Sequence, residues 1–273
     1  MIFDCGKFQL NLAMPRVMGI VNVTPDSFSD GGKFSQTRLA VAHALKLVEE
    51  GADILDIGGE STRPNATPVS LQEELDRVIP VMESLCGQVN IPLSIDTYKP
   101  QVMQAAIAAG ASIVNDVRAL QEEGALEIVA KSNAGVCLMH MQSTPQTMQD
   151  NPHYDDVVQD IKAFLKTRLQ ASIHAGIGAS RIVLDPGFGF GKTREHNITL
   201  IRELESFAEL GRPLLVGLSR KSVLGQVTGN DVDARLYASI AASVIAAQKG
   251  AKILRVHDVR ATVEALKVVA AVQ

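Results

Sequence analysis

Eight times along this chain a short run rich in Val, Ile and Leu ends in polar or charged residues, and a helical pattern follows. The runs are VMGIVNV (17–23), DILDIGG (53–59), PLSIDT (92–97), SIVNDV (112–117), GVCLMHM (135–141), RIVLDPG (181–187), PLLVGLS (213–219) and ILRVHD (253–258). Such near-continuous apolar runs suit parallel strands covered on both faces. The intervening segments carry helical periodicity. TRLAVAHALKLVEEGA closes on Gly51, where a helix-ending glycine belongs. LQEELDRVIPVMESLCG, QVMQAAIAAGA, ALEIVAKSNAG, VVQDIKAFLKTRLQASIHAG, HNITLIRELESFAELG, ARLYASIAASVIAAQKGA and RATVEALKVVAAV complete the series. Pro80, inside the second helical segment, predicts a kink or a split there.

Strand and helix alternating eight times is the order of a (β/α)8 TIM barrel, an α/β fold. The expectation is one domain over 1–273, with a barrel from 15 to 273 and a short hairpin in 1–14 covering the barrel bottom. A doubly wound open sheet is the alternative, weakened by the missing Gly-rich dinucleotide turn and by a strand count that matches barrel closure. At 273 residues and 46% hydrophobic, the chain can bury one large core. A net charge of −4 argues against nucleic acid or an anionic membrane as the main partner. Cys5, Cys86 and Cys137 are widely spaced and odd in number, which reads as reduced thiols rather than a disulfide framework or zinc site. With no apolar run near the roughly 18 residues of a membrane span, and Asp4 close to the start, a cytoplasmic protein is expected.

In barrels of this kind the chemistry lies at the C-terminal strand ends and in the loops beyond them. Those ends carry Asn22, the stretch Glu60-Ser61-Thr62-Arg63, Asp96, Asn115-Asp116, Met139-His140, Asp185, Ser219-Arg220-Lys221, Arg255 and His257. Any one of them could merely cap the next helix. Together they point to a shared ligand, because carboxylates embedded in strands are costly to bury without partners. Asp96, Asn115, Asp185 and Lys221 offer the acceptors and donors that read a flat, nitrogen-rich heterocycle. Arg63, Arg255 and His257 gather positive and donor character for an anion. Asn22 could complete a Mg²⁺ shell that also takes water and phosphate oxygens.

GFGFGKT (187–193) imitates a phosphate-binding loop, but the Walker spacing demands glycine where Pro186 stands. Its glycines are expected to let the loop pass close to a ligand, with Phe190 as an apolar wall. No paired metal spacing links the histidines: His43, His153, His174 and His196 read as surface or helix residues. His140 is ambiguous, and strand alternation favours its neighbour Met139 as an apolar floor.

At this point the chain resembles the dihydropteroate synthases, folate-pathway enzymes with a pterin-binding barrel. The matching motifs are GIVNVTPDSFSDGG, DILDIGGESTRPNA, PLSIDTYKP, IVNDV, LMHM, LDPGFGFGK, LLVGLSRKS and LRVHDV, in order and across essentially the whole length. The resemblance implies condensation of 6-hydroxymethyl-7,8-dihydropterin diphosphate with p-aminobenzoate, giving 7,8-dihydropteroate and pyrophosphate. It implies that Asp96, Asn115, Asp185 and Lys221 read the pterin while Met139 and Arg255 pack on its faces. Asn22, Arg63, Arg255 and His257 would hold the diphosphate, Asn22 through Mg²⁺, with Thr62 beside it. Phe28, Thr62, Arg63, Pro64, Phe190, Ser219, Lys221 and Ser222 would shape the p-aminobenzoate pocket, and the loop after the first strand would act as a mobile cover. A homodimer is implied as well; the Ala- and Ile-rich ARLYASIAASVIAAQKG is either deeply packed or at that interface. Sulfonamides are implied as ligands.

An aniline amine is a weak nucleophile, so a catalyst gains most by helping pyrophosphate leave, and an SN1-like displacement without a covalent intermediate is expected. Other readings stay open: a pterin-binding methyltransferase barrel, a Schiff-base aldolase using Lys221, and a non-catalytic pterin binder. The first would not need Arg63, Lys221, Arg255 and His257 together. The second needs a lysine with a lowered pKa, and the third has no leaving group to stabilise.

Overall fold

A computed structural model of the chain describes residues 1–23, 33–61, 66–144 and 147–272. Its centre is a closed barrel of eight parallel strands. In chain order these are β3 (Arg16–Asn22), β4 (Ile54–Gly58), β5 (Leu93–Asp96), β6 (Ile113–Asp116), β7 (Gly135–Met139), β8 (Ile182–Asp185), β9 (Leu214–Val216) and β10 (Ala251–Val256). Each pairs with the next, and β10 closes on β3 through Leu254 opposite Val17 and Arg255 opposite Met18. The expected TIM barrel is therefore the fold. Before it, β1 (Ile2–Cys5) and β2 (Phe8–Asn11) form the expected antiparallel hairpin.

Alternation along the strands builds two cores. Outward positions such as Val21, Leu55, Ile57, Ile95, Val114, Leu138, Leu184 and Val256 pack under the helices in one large buried cluster. Inward positions at the N-terminal end, Met18, Ile54, Ile113, Cys137, Val183, Leu215 and Ile253, form a second. Phe3, Cys5 and Leu12 complete it from the hairpin side, so the hairpin plugs the barrel floor. Each such burial is worth about 1.5–3 kcal/mol for the larger side chains. Room for Phe3 comes from Gly135 at the start of β7: a Cβ there would sit 2.5 Å from the phenyl ring. All three cysteines are free thiols, Cys5 and Cys137 buried and Cys86 exposed. Among the described residues no helix is long and apolar enough to cross a membrane.

The helices follow the expected segments with three departures. Helix α2 (Leu71–Cys86) runs unbroken through Pro80. The proline lies on the exposed side of the helix. The segment read as one helix from His196 divides into α6 (Arg194–Arg202) and a 3-10 turn, Leu204–Leu210, because Glu203 leaves helical geometry at φ −96° and ψ 14°. A short helix, α7 (Ser222–Thr228), also precedes α8 (Leu236–Gln248), in a stretch read only as a strand-end loop. The remaining helices are α1 (Lys33–Glu49), α3 (Pro100–Ala108), α4 (Ala125–Lys131), α5 (Val157–His174) and α9 (Val259–Val272).

Candidate active site

Two residues on from the floor positions Ile54, Ile113, Cys137, Val183 and Ile253 stand Asp56, Asn115, Met139, Asp185 and Arg255. A two-residue step returns a strand to the same face, so these side chains form the next layer up the barrel. Asp96 joins them, since Ser94 pairs with Asp56 and Asp96 lies two residues beyond. The barrel interior thus changes from apolar to ionic within one layer.

Arg255 is the hub. Its Nε donates to Asp56 Oδ2 at 2.6 Å, and its Nη2 donates to Asp96 Oδ2 at 2.6 Å. The same Asp56 oxygen accepts from Asn115 Nδ2 at 3.0 Å. Charge-assisted pairs of this kind offset the cost of burial. Among the described residues, the second oxygens of Asp56 and Asp96 are buried and have no hydrogen-bond partner. Burial pushes Asp96 up to about 7, with Arg255 holding it lower than burial alone would. Arg255 moves the other way: burial opposes its charge, but Asp56 and Asp96 overcome that and raise its pKa.

Asp185, at the end of β8, accepts the Gly187 N–H at 2.7 Å, and burial raises its pKa against that bond and the nearby Lys221. Lys221 caps α7, donates to the Phe188 carbonyl, and lies 4.0 Å from the Phe190 ring centroid. Burial pushes Lys221 down to about 7, while Asp185 pulls it up. Phe190 also packs on a small cluster of Val117, Met139, Met141 and Met148. That places Met139 inward; His140 turns the other way, edge-on to Phe164 with ring centroids 4.9 Å apart.

In the same β9–α7 turn as Lys221, Ser219 Oγ lies 3.0 Å from His257 Nδ1 and accepts the His257 backbone N–H at 3.2 Å. Asn22 ends β3 half-buried, opposite Gly58, which in turn lies opposite Asp96. Ser222 opens α7 and is exposed. The structure thus gathers Asn22, Asp96, Asn115, Met139, Asp185, Lys221, Arg255, His257, Ser219 and Phe190 at one end of the barrel. Phe28, Thr62, Arg63 and Pro64, and with them the expected cover loop, lie outside the described residues.

Other strand-end residues serve the scaffold. Asp116 points outward, pushed up to about 6 by burial, and accepts the backbone N–H of Arg118 at 2.8 Å and of Leu120 at 2.7 Å. It thereby holds Ala119 and Leu120 at positive φ. Glu60 and the buried Glu74 both pair with Lys99. Arg220 forks onto Asp258, Nε at 3.1 Å and Nη2 at 2.6 Å, and so is turned away from Lys221's amine. The glycines of the 187–191 stretch press on the chain itself: a Cβ on Gly187 would lie 1.8 Å from the His140 carbonyl oxygen, and one on Gly191 2.7 Å from Gln142.

Asp56 is the site residue that reading strand ends missed, because it lies in the middle of DILDIGG. Its signal was there: a fully buried strand position with a charge needs a partner inside the barrel.

A barrel with an ionic layer at its C-terminal end, carboxylates and an amide beside Arg and Lys, is built to hold a polar heterocycle with an anion attached. The family described as pterin binding enzyme matches residues 18–257. A curated dihydropteroate synthase of Neisseria meningitidis serogroup C is 54% identical over 271 residues, 97% of this chain and 95% of the relative. The solved Xanthomonas albilineans dihydropteroate synthase with 4-aminobenzoic acid is 55% identical, with a TM-score of 0.95 over 100% of this chain and 98% of that one. The same organism's enzyme in complex with 7,8-dihydropteroate is 52% identical, with a TM-score of 0.92 over 100% and 99% of the two chains. The chain belongs to the dihydropteroate synthase family of pterin-binding enzymes.

Proposed function

We propose that the chain joins 6-hydroxymethyl-7,8-dihydropterin diphosphate to the amine of p-aminobenzoate, releasing pyrophosphate and 7,8-dihydropteroate. The observation that carries this reading is Asp96: one oxygen held by Arg255 at 2.6 Å, the other buried and without a partner among the described residues. A buried acceptor so placed suits the N–H edge of an aminopyrimidine. Asn115, Asp185 and Lys221 supply the other contacts to the pterin, with Met139 and the Arg255 guanidinium against its faces. The relatives bound to 4-aminobenzoic acid and to 7,8-dihydropteroate support both halves of the reaction.

The residues are arranged for departure of the leaving group. Arg255 and His257 stand where charge grows on pyrophosphate, and Arg63 is assigned there too. Ser219 Oγ accepts the His257 backbone N–H and lies 3.0 Å from its Nδ1, which orients the imidazole at the strand end. Asp96 and Asp185 favour positive charge on the dihydropterin as the C–O bond breaks, and the aniline nitrogen then attacks the exposed methylene. No covalent bond to the protein is needed. Phe28, Thr62, Pro64, Phe190, Lys221, Ser219 and Ser222 would form the amine side of the site.

Among the described residues no group of three or more His, Cys, Asp and Glu could hold a metal ion by itself. Asn22 offers one half-buried amide oxygen, which fits a Mg²⁺ whose other ligands are water and diphosphate oxygens. When bound there it would neutralise charge on the leaving group. The exposed apolar residues Val227 and Val232, with Tyr237 and Ile245 on α8, suit a homodimer contact, and the protein is assigned to the cytoplasm. Lys221, brought down to about 7, has the property a Schiff-base lysine needs. Borohydride trapping with a carbonyl substrate separates that second reading, and a covalent adduct on Lys221 would favour it. The direct test is mass-spectrometric detection of 7,8-dihydropteroate from the two substrates and Mg²⁺; wild-type protein forming none would overturn the proposal.

A further inference from the structure

The loop from Pro186 to Thr193 carries a lysine that the proposed reaction does not use. Lys192 is 3% exposed, and its Nζ lies 3.0 Å from His140 Nδ1, 2.8 Å from the Gly187 carbonyl and 2.9 Å from the Phe190 carbonyl. One nitrogen therefore ties the loop to itself at two places and to the end of β7 at a third. His140 is held neutral as the β7 partner, pushed down to about 2 by burial and by the neighbouring lysine.

The loop has reason to need a tie. Gly187, Gly189 and Gly191 adopt φ of 71°, 79° and 63°, and glycines lose the most conformational freedom when fixed. What the fixed shape presents is specific: the Phe188 carbonyl to the Lys221 amine, and the Phe190 ring 4.0 Å beneath it. The outer side is anchored separately, by Gln149 Nε2 to the Gly189 carbonyl at 2.7 Å and by Tyr154 Oη to the Gly191 carbonyl at 2.8 Å. Lys192 supplies the anchor on the buried side.

We propose that Lys192 is a positioning residue: its amino group locks the Gly187–Gly191 loop so that Phe190 and Lys221 present the p-aminobenzoate side of the site. This rests on the assignment of Phe190 and Lys221 to that side. Lys192→Met keeps the stem and removes the donors. Its KM for p-aminobenzoate should rise about tenfold or more, with a clearly smaller rise in KM for the pterin diphosphate, which shares Lys221. In Lys192→Ala, millimolar methylammonium should refill the amino position and lower the raised KM; in Lys192→Met it should not. Hydrogen exchange without substrate gives a readout that holds whatever reaction the protein performs, with faster exchange in Lys192→Met expected for the peptide covering 186–193. Wild-type exchange there in Lys192→Met, an unchanged KM for p-aminobenzoate, or equal rises in both KM values would each overturn the proposal. Wild-type protein forming no dihydropteroate would remove the substrate assignment alone, and the exchange result would still decide the tie.

Discussion

Arg255 reaches across β3 from β10 and donates its Nε to Asp56 Oδ2 at 2.6 Å, at a carboxylate with no solvent exposure. Asn115 uses the same oxygen, so one buried aspartate orients two residues of the site. Asp56→Asn should leave Arg255 with Asp96 as its single charged partner and lower kcat/KM for the pterin diphosphate by about 10²-fold, the scale of a small misplacement in a site. Because the two residues act as a unit, Asp56→Asn combined with Arg255→Ala should cost far less than the sum of the two singles. Additive losses in steady-state kinetics would contradict that coupling.

Asp96 and Lys221 both stand at about 7, displaced from opposite directions by burial. Asp96 must be ionised to accept N–H bonds, a requirement lost as pH falls through its pKa. Lys221 must be charged, and that is lost as pH rises through its own. The kcat/KM profile for the pterin diphosphate should therefore be a narrow bell centred near neutrality. Lys221→Arg should extend the alkaline limb. A profile flat between about pH 6 and 8 would contradict the paired roles.

Little of the barrel was hidden in the sequence, since eight apolar runs of strand length with helical patterns between them leave few other closures. Asp96, Asn115, Asp185 and Arg255 were legible because a charged or amide group at the end of an inward face has nowhere to go but the site. Asp56 was not, because it stands in the middle of a run that reads as continuous strand on both sides. Helix α7 was hidden behind the polar Ser219–Lys221 turn, where Arg220 sits at φ 58°. The 187–191 glycines were read for closeness to a ligand. Their nearest neighbours are the His140 carbonyl, Gln142 and Lys221, a packing that composition cannot announce.

The hairpin contributes stability rather than chemistry. Phe3 is 1% exposed, against Gly135, far down the barrel from Arg255. Phe3→Ala should lower unfolding free energy by about 3–5 kcal/mol while kcat at a permissive temperature stays near wild type. Denaturant unfolding and initial rates on the same preparation check both, and a kcat lost in proportion to stability would contradict the separation.

A dissociative displacement breaks the C–O bond before the amine commits. With the bridging oxygen of the diphosphate labelled and p-aminobenzoate replaced by an unreactive analogue, label should scramble into nonbridging positions of the bound substrate. Arg255→Ala should slow it. Retention of the label at the bridge, beside normal turnover with the true amine, would favour a concerted attack.

The most direct test of the whole account is pyrophosphate release from the dihydropterin diphosphate and Mg²⁺, measured with and without p-aminobenzoate. Release that requires the amine and matches 7,8-dihydropteroate one for one is the predicted result. Tight pterin binding without turnover would contradict it and return Arg255 and His257 to a binding role, and release indifferent to the amine would contradict the transfer to p-aminobenzoate.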